Sequence, residues 1–284
     1  MNRILLIVII SLLNSVISSA ESFSGIVVNE NNEPLPYSTI RVKKKRIATL
    51  GSKDGLFKLT SDAICENDTI IISYIGYEPL NIRVGEYPDS DNCLKMRTQL
   101  TQLNEISIYA PQNIKRKTVS KGKKHSWSLL RTCICGKTAG DTYGYEFHSK
   151  NNKKLLLEKV GFFYCAGDRQ MTGMNFRINV YDMSNVAGDP SSDFINVLDA
   201  PKFFEYKLDD NDNGRFEFIL PEPIMLPEHA MVEIEFLENL DDEIFWFKSN
   251  LIGGKTWTKL FNENIWVKTP FSTPFFIECS EIED

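Results

Sequence analysis

Six cysteines and three histidines supply the strongest nucleophiles and metal ligands in this 284-residue chain. Cys133 and Cys135 flank a single isoleucine, an offset that on a strand sets both thiols on one face. With Cys165, Cys279, His125 and His148 they offer enough ligand types for zinc, but structural zinc sites favour repeated C-x2-C pairs. Disulfides or buried structural thiols are the expected use, with Cys133 and Cys135 as partners of Cys165 and Cys279 rather than of each other. Cys65 and Cys93 fall in the first half and can pair if the fold brings them together.

Other short motifs weaken on inspection. In DDNDNG, residues 209–214, Asp209, Asn211 and Asn213 take positions 1, 3 and 5 of a calcium loop, but position 12 is Leu220 and not a bidentate glutamate. An exposed turn is expected there, with a weak calcium site as the alternative. GGKT, residues 253–256, ends like a phosphate-binding loop, yet Ser249 stands where the first glycine is required. His125 lies in a basic stretch, His148 in a polar turn and His229 ahead of a strand. No H-E-x-x-H, no G-x-S-x-G and no carboxylate pair at a marked spacing accompanies them. The expected protein is therefore not an enzyme; a hydrolase whose groups converge only in space is the outlying alternative. Trp257 and Trp266, close to Trp246, are candidates for stacking on sugar rings, and the competing use is core packing. The carbohydrate reading requires one of the two to be exposed.

The elements that must position these residues are strands. Ile70, Ile72 and Tyr74 share one face of DTIIISY, as Phe216, Phe218 and Leu220 do in RFEFIL. Val232, Ile234 and Phe236 alternate with Glu233 and Glu235. The pattern predicts an all-β protein of two sandwiches, each burying one face of each sheet. PQNIKRKTVSKGKKHS, residues 111–126, reads as a basic interdomain linker because it lacks interleaved aromatics and an apolar face. Residues 21–110 and 127–284 are then the two domains.

MNRILLIVIISLLNSVISSA, residues 1–20, reads as a secretory signal peptide: one basic residue, an apolar run too short to span a bilayer, and small residues before the cleavage point. No cysteine lies near the junction, so a lipoprotein is not expected. No later segment reads as a membrane span. A formal charge of −6, which becomes −7 when Arg3 is lost with residues 1–20, argues against nucleic acid as the main partner.

The first domain also carries a recognisable series. Gly25 lies in the first strand, Pro34-Leu35-Pro36 precedes the second, Asp54-Gly55 with Phe57 forms a hairpin turn, and Ser73-Tyr74-Ile75-Gly76-Tyr77-Glu78 and Leu103-Asn104-Glu105-Ile106-Ser107-Ile108 close the set. This resembles the carboxypeptidase-like regulatory domain, a transthyretin-like sandwich found ahead of many TonB-dependent receptors. Asp54-Gly55 then serves as a structural turn with positive φ, and Gly76 lets the chain bend where a side chain would obstruct it. NFRINVYDMSNVAGDP, MVEIEFLE and LIGGKTWTKLFNENIWVK resemble the jelly-roll-like C-terminal sandwich of uncharacterised exported proteins. The resemblance implies architecture and a Gram-negative periplasm or cell envelope. No activity carries over from it; the expected function is a non-catalytic binding or adaptor component that acts on an envelope protein, with a carbohydrate-binding module as the alternative, and no cofactor beyond the calcium alternative.

Overall fold

The computed structural model describes residues 21–88, 92–99, 116–122, 139–149, 154–163, 174–184, 194–207, 215–239, 256–259, 261, 265–270 and 275–282. The expected signal peptide and Cys133, Cys135, Cys165, His125, Asp209, Asn211 and Asn213 lie outside them. The described chain is all-β, with one 3-10 turn at Val84–Glu86.

Among the described residues, seven strands form the first sandwich: β1 (Glu21–Val28), β2 (Thr39–Val42), β3 (Ala48–Leu50), β4 (Leu56–Ser61), β5 (Thr69–Ser73), β6 (Leu80–Arg83) and β7 (Cys93–Lys95). They make two sheets, ordered β4-β1-β7 and β3-β2-β5-β6. The alternation in LFKLTS buries Phe57 and Leu59 and exposes Leu56, Lys58 and Thr60. Val27, Ile40, Ile70 and Ile72 meet them as fully buried side chains between the sheets. Gly55 takes φ +75°, and a Cβ there would lie 2.8 Å from the Val27 carbonyl oxygen, so the turn demands glycine. The Ser52 hydroxyl accepts from the Asp54 and Leu56 amides and shapes the same turn. The flanking strands β3 and β4 belong to different sheets. The expected hairpin is thus a crossover turn between the two layers, which sequence spacing alone does not distinguish.

The second sandwich contains β8 (Arg116–Gly122), β9 (Thr142–His148), β10 (Lys154–Phe163), β11 (Met174–Asp182), β12 (Ile195–Asn196), β13 (Lys202–Tyr206), β14 (Arg215–Leu226), β15 (His229–Phe236), β16 (Thr256–Lys259), β17 (Trp266–Thr269) and β18 (Phe275–Ile282). One sheet runs β14-β10-β18-β8; the other runs β12-β11-β15-β9-β16-β17, with β13 also on β11. Phe176, Ile178 and Val180 of β11, Val232, Ile234 and Phe236 of β15, and Ile277 and Cys279 of β18 fill the space between. Pro221 and Pro223 fall in β14, an edge strand, where a missing amide is tolerated.

Two expectations change. Residues 116–122 of the supposed linker are strand β8, in antiparallel register with β18 from Arg116↔Ile282 to Gly122↔Phe276. Its basic composition suits a sheet edge, where lysines discourage pairing with other chains, and the same composition hides it from a hydrophobicity reading. The second sheet is also buried on both faces: Glu233 and Glu235, which point away from the core, are 1% and 5% exposed.

Candidate functional site

The polar face of the second sheet is buried: the first sandwich meets it at Arg177, and the segment carrying Phe194 packs over it at Trp257 and Trp266. Arg177, Asn179 and Tyr181 project from β11 on the side opposite Phe176, Ile178 and Val180, and register sets Arg177 across from Glu235. The guanidinium meets Glu235 Oε2 through Nε at 2.8 Å and Nη2 at 2.7 Å, and its Nη1 donates to the Tyr37 carbonyl of the first sandwich at 3.0 Å. Asn179 donates to the same Glu235 oxygen at 3.1 Å, and Asn196 donates to Asn179 at 3.0 Å. Tyr37 holds a left-handed backbone, φ 57°, and stacks at a tilt on Phe203, 5.5 Å between ring centroids. A bulky residue in that conformation carries strain that the docking contact offsets. Gly76, at φ +82°, completes the junction: a Cβ there would sit 2.2 Å from the Asp199 carbonyl oxygen. The sequence identified Gly76 as a place where a side chain would obstruct, and the obstruction comes from the other sandwich.

Between these contacts opens a cleft of about 610 Å³ lined by both sandwiches. Tyr74, Gly76 and Tyr77 form one wall, and Phe194, Asn196 and Asp199 another. Arg177, Asn179, Tyr181 and Glu235 form the charged floor. Burial opposes the charge on Arg177, but the Glu235 carboxylate more than compensates and raises its pKa above the ordinary value. Behind the floor, burial and the neighbouring Glu235 charge push the Glu233 carboxyl up to about 7, against a hydrogen bond from Tyr181. Glu233 Oε2 has no hydrogen-bond partner among the described residues. Burial, then the two carboxylates, keep Tyr181 a neutral phenol. Burial likewise lifts Tyr74 to about 12 even though the Arg177 charge pulls the other way.

This arrangement is a preformed cleft. Its ion pair is internally satisfied, and its walls present aromatic faces, amides and backbone groups to whatever enters. The sequence reading singled out none of the floor residues. The available signal was polar alternation on adjoining strands, Arg177-x-Asn179-x-Tyr181 against Glu233-x-Glu235, which reads as a solvated face until a second domain covers it.

The residues that sequence did single out fall elsewhere. Trp257 and Trp266 are 7% and 5% exposed and pack with Met183, Phe194 and Met231. The open stacking face that the carbohydrate reading requires is therefore not formed by them; the loop carrying Phe194 covers it, with its ring 5.7 Å from Trp257 and 5.2 Å from Trp266. Cys65 and Cys93 are exposed free thiols and not a disulfide. Cys93 begins β7 beside β1, whereas Cys65 sits in a turn beside Lys45 and Asp68. Cys279 is buried in the second core. The calcium candidates Asp209, Asn211 and Asn213 and the other three cysteines lie outside the described residues.

Fold and cleft together define an all-β protein whose two sandwiches line one cavity. The family described as the CarboxypepD_reg-like domain matches residues 23–108, the span that holds the first sandwich, so this part of the chain is similar to such domains. Comparison with curated proteins finds no match to the chain. Among the described residues, no helix is long and apolar enough to cross a membrane.

Proposed function

We propose that this is an exported, non-catalytic binding or adaptor protein of the Gram-negative envelope, whose interdomain cleft receives an extended segment of a protein partner. The carrying observation is the cleft itself, built half from each sandwich over an internally neutralised Arg177–Glu235 pair. Pro79 lines the cleft, and the next residue opens β6, the edge strand of its sheet. A segment lying between Tyr74, Tyr77 and Phe194 can continue along that edge by strand addition. The export reading rests on residues 1–20, and the second sandwich is read as the jelly-roll-like domain that follows such modules in exported proteins.

The test places a photo-crosslinking side chain at Ile195, a cleft residue 63% exposed, or at Ile219, 69% exposed on β14 as control. A discrete protein adduct from native envelope at position 195 alone, diminished by Tyr77→Ala, supports the proposal. Equal adducts at both positions, or none at 195, would overturn it. Recovery of polysaccharide without protein would establish the carbohydrate alternative at the cleft. Hydrolysis of a peptide or ester by the purified protein, abolished by Glu233→Gln, would establish the hydrolase alternative.

A further inference from the structure

At the other end of the same sheet face, three potential metal ligands converge. Glu146 and His148 lie two residues apart on β9, so both point away from the core, and register brings His229 of β15 directly opposite His148. Glu146 Oε1 is 3.0 Å from His229 Nε2 and 3.9 Å from His148 Nε2. One ligand atom from each of the three residues falls within 4.8 Å of the others. The second carboxylate oxygen is occupied: Oε2 accepts from Trp257 Nε1 at 2.8 Å and from Lys268 Nζ at 2.7 Å. Those donors fix the carboxylate and turn Oε1 toward the two imidazoles, as outer hydrogen bonds orient metal-ligating groups.

We propose that Glu146, His148 and His229 form a binding site for a divalent transition-metal ion of the zinc type. Two imidazoles and one carboxylate are the donor set of open zinc sites, and they disfavour calcium and magnesium, which take oxygen ligands. The two histidine rings are stacked, 3.7 Å between centroids and 21° between planes. Imidazole lone pairs lie in the ring plane, so loading requires one ring to swing out of the stack. His148 is free to do so, its side chain being 63% exposed, while His229 and Glu146 stay anchored at 21% and 13%. The solvent side beyond His148 supplies the remaining coordination positions. Lys268, 46% exposed, sits on the far oxygen and moderates affinity without blocking Oε1. Bound metal would cross-link β9 to β15 at the end of the sheet remote from Arg177 and Glu235.

The experiment is calorimetric titration of Zn2+ into the purified protein after alkylation of its accessible thiols, which removes Cys65 and Cys93 as competing ligands. One equivalent is expected to bind, and the melting temperature should rise with free metal as linkage requires. Glu146→Gln should weaken binding at least about tenfold. Because that change also disturbs Trp257 and Lys268, His148→Ala is the deciding variant: its exposed ring is dispensable to the fold, and its loss should leave the metal-free melting temperature in place and remove the zinc-induced rise. Titration with Co2+ identifies the donors, since nitrogen and oxygen ligation lacks the thiolate charge-transfer band. Failure to bind Zn2+, binding untouched by His148→Ala, or a thiolate spectrum from Co2+ would each overturn the assignment.

Discussion

Glu233 concentrates the electrostatic cost of burying the polar face of the second sheet. Its carboxyl titrates at about 7 in the folded protein against an ordinary value of 4.5. A raised folded pKa contributes stability that is complete below the unfolded value and lost as pH rises through the folded one. The expected result is a wild-type protein that loses stability between about pH 4.5 and pH 7, by on the order of 3 kcal/mol from this group. Glu233→Gln should flatten that slope and stabilise the protein at about pH 8, as urea denaturation at the two ends of the range would report. Arg177 behaves in the opposite sense. Its removal strands Glu235 without a counter-charge, so Arg177→Ala should cost about 3–5 kcal/mol, whereas an Arg177→Met and Glu235→Leu double variant should recover most of it. Denaturation curves of the single and double variants distinguish a structural ion pair from independent contributions.

At the scale of elements, legibility depended on whether burial left a mark in the residue types. β14 and β15 were readable because Phe216, Phe218 and Leu220 share one face and Val232, Ile234 and Phe236 alternate with Glu233 and Glu235. β8 was not, because Lys117 and Lys121 belong to an edge whose pairing comes from the backbone. That strand gives a direct prediction: a fragment beginning at residue 111 should fold with a covered β18, and one beginning at residue 127, without Arg116–Gly122, should expose the β18 edge and aggregate. Size-exclusion chromatography of the two fragments decides it. Trp257 and Trp266 were legible as large aromatics but not as buried ones, since their cover, Phe194, arrives from a loop with no periodic signal. The convergence of Glu146 with His229 was equally hidden: residues 83 apart meet through a strand register that no local spacing encodes.

The whole molecule is held together by a small junction in which Tyr37, Gly76 and Arg177 each meet the opposite sandwich. Wild-type protein is expected to melt in a single calorimetric transition, and Gly76→Val, which drives a side chain into the Asp199 backbone, should split it in two as the sandwiches part. The first sandwich was legible as a domain from its ordered motifs, but its use as a lid over a charged sheet was not, because domain contact leaves no periodicity in either partner. One feature of that sandwich bears on load. β1 and β7 pair in parallel, Ile26↔Cys93 to Val28↔Lys95, with further bonds from the Ile26 amide to Asn92 and from the Met96 amide to Val28, each 2.9 Å. Within the described residues, β1 therefore starts at one end of the module and β7 ends at the other. Tension applied between Glu21 and Met96 draws these two strands past each other lengthwise, so the rungs that join them resist together in shear instead of parting one by one.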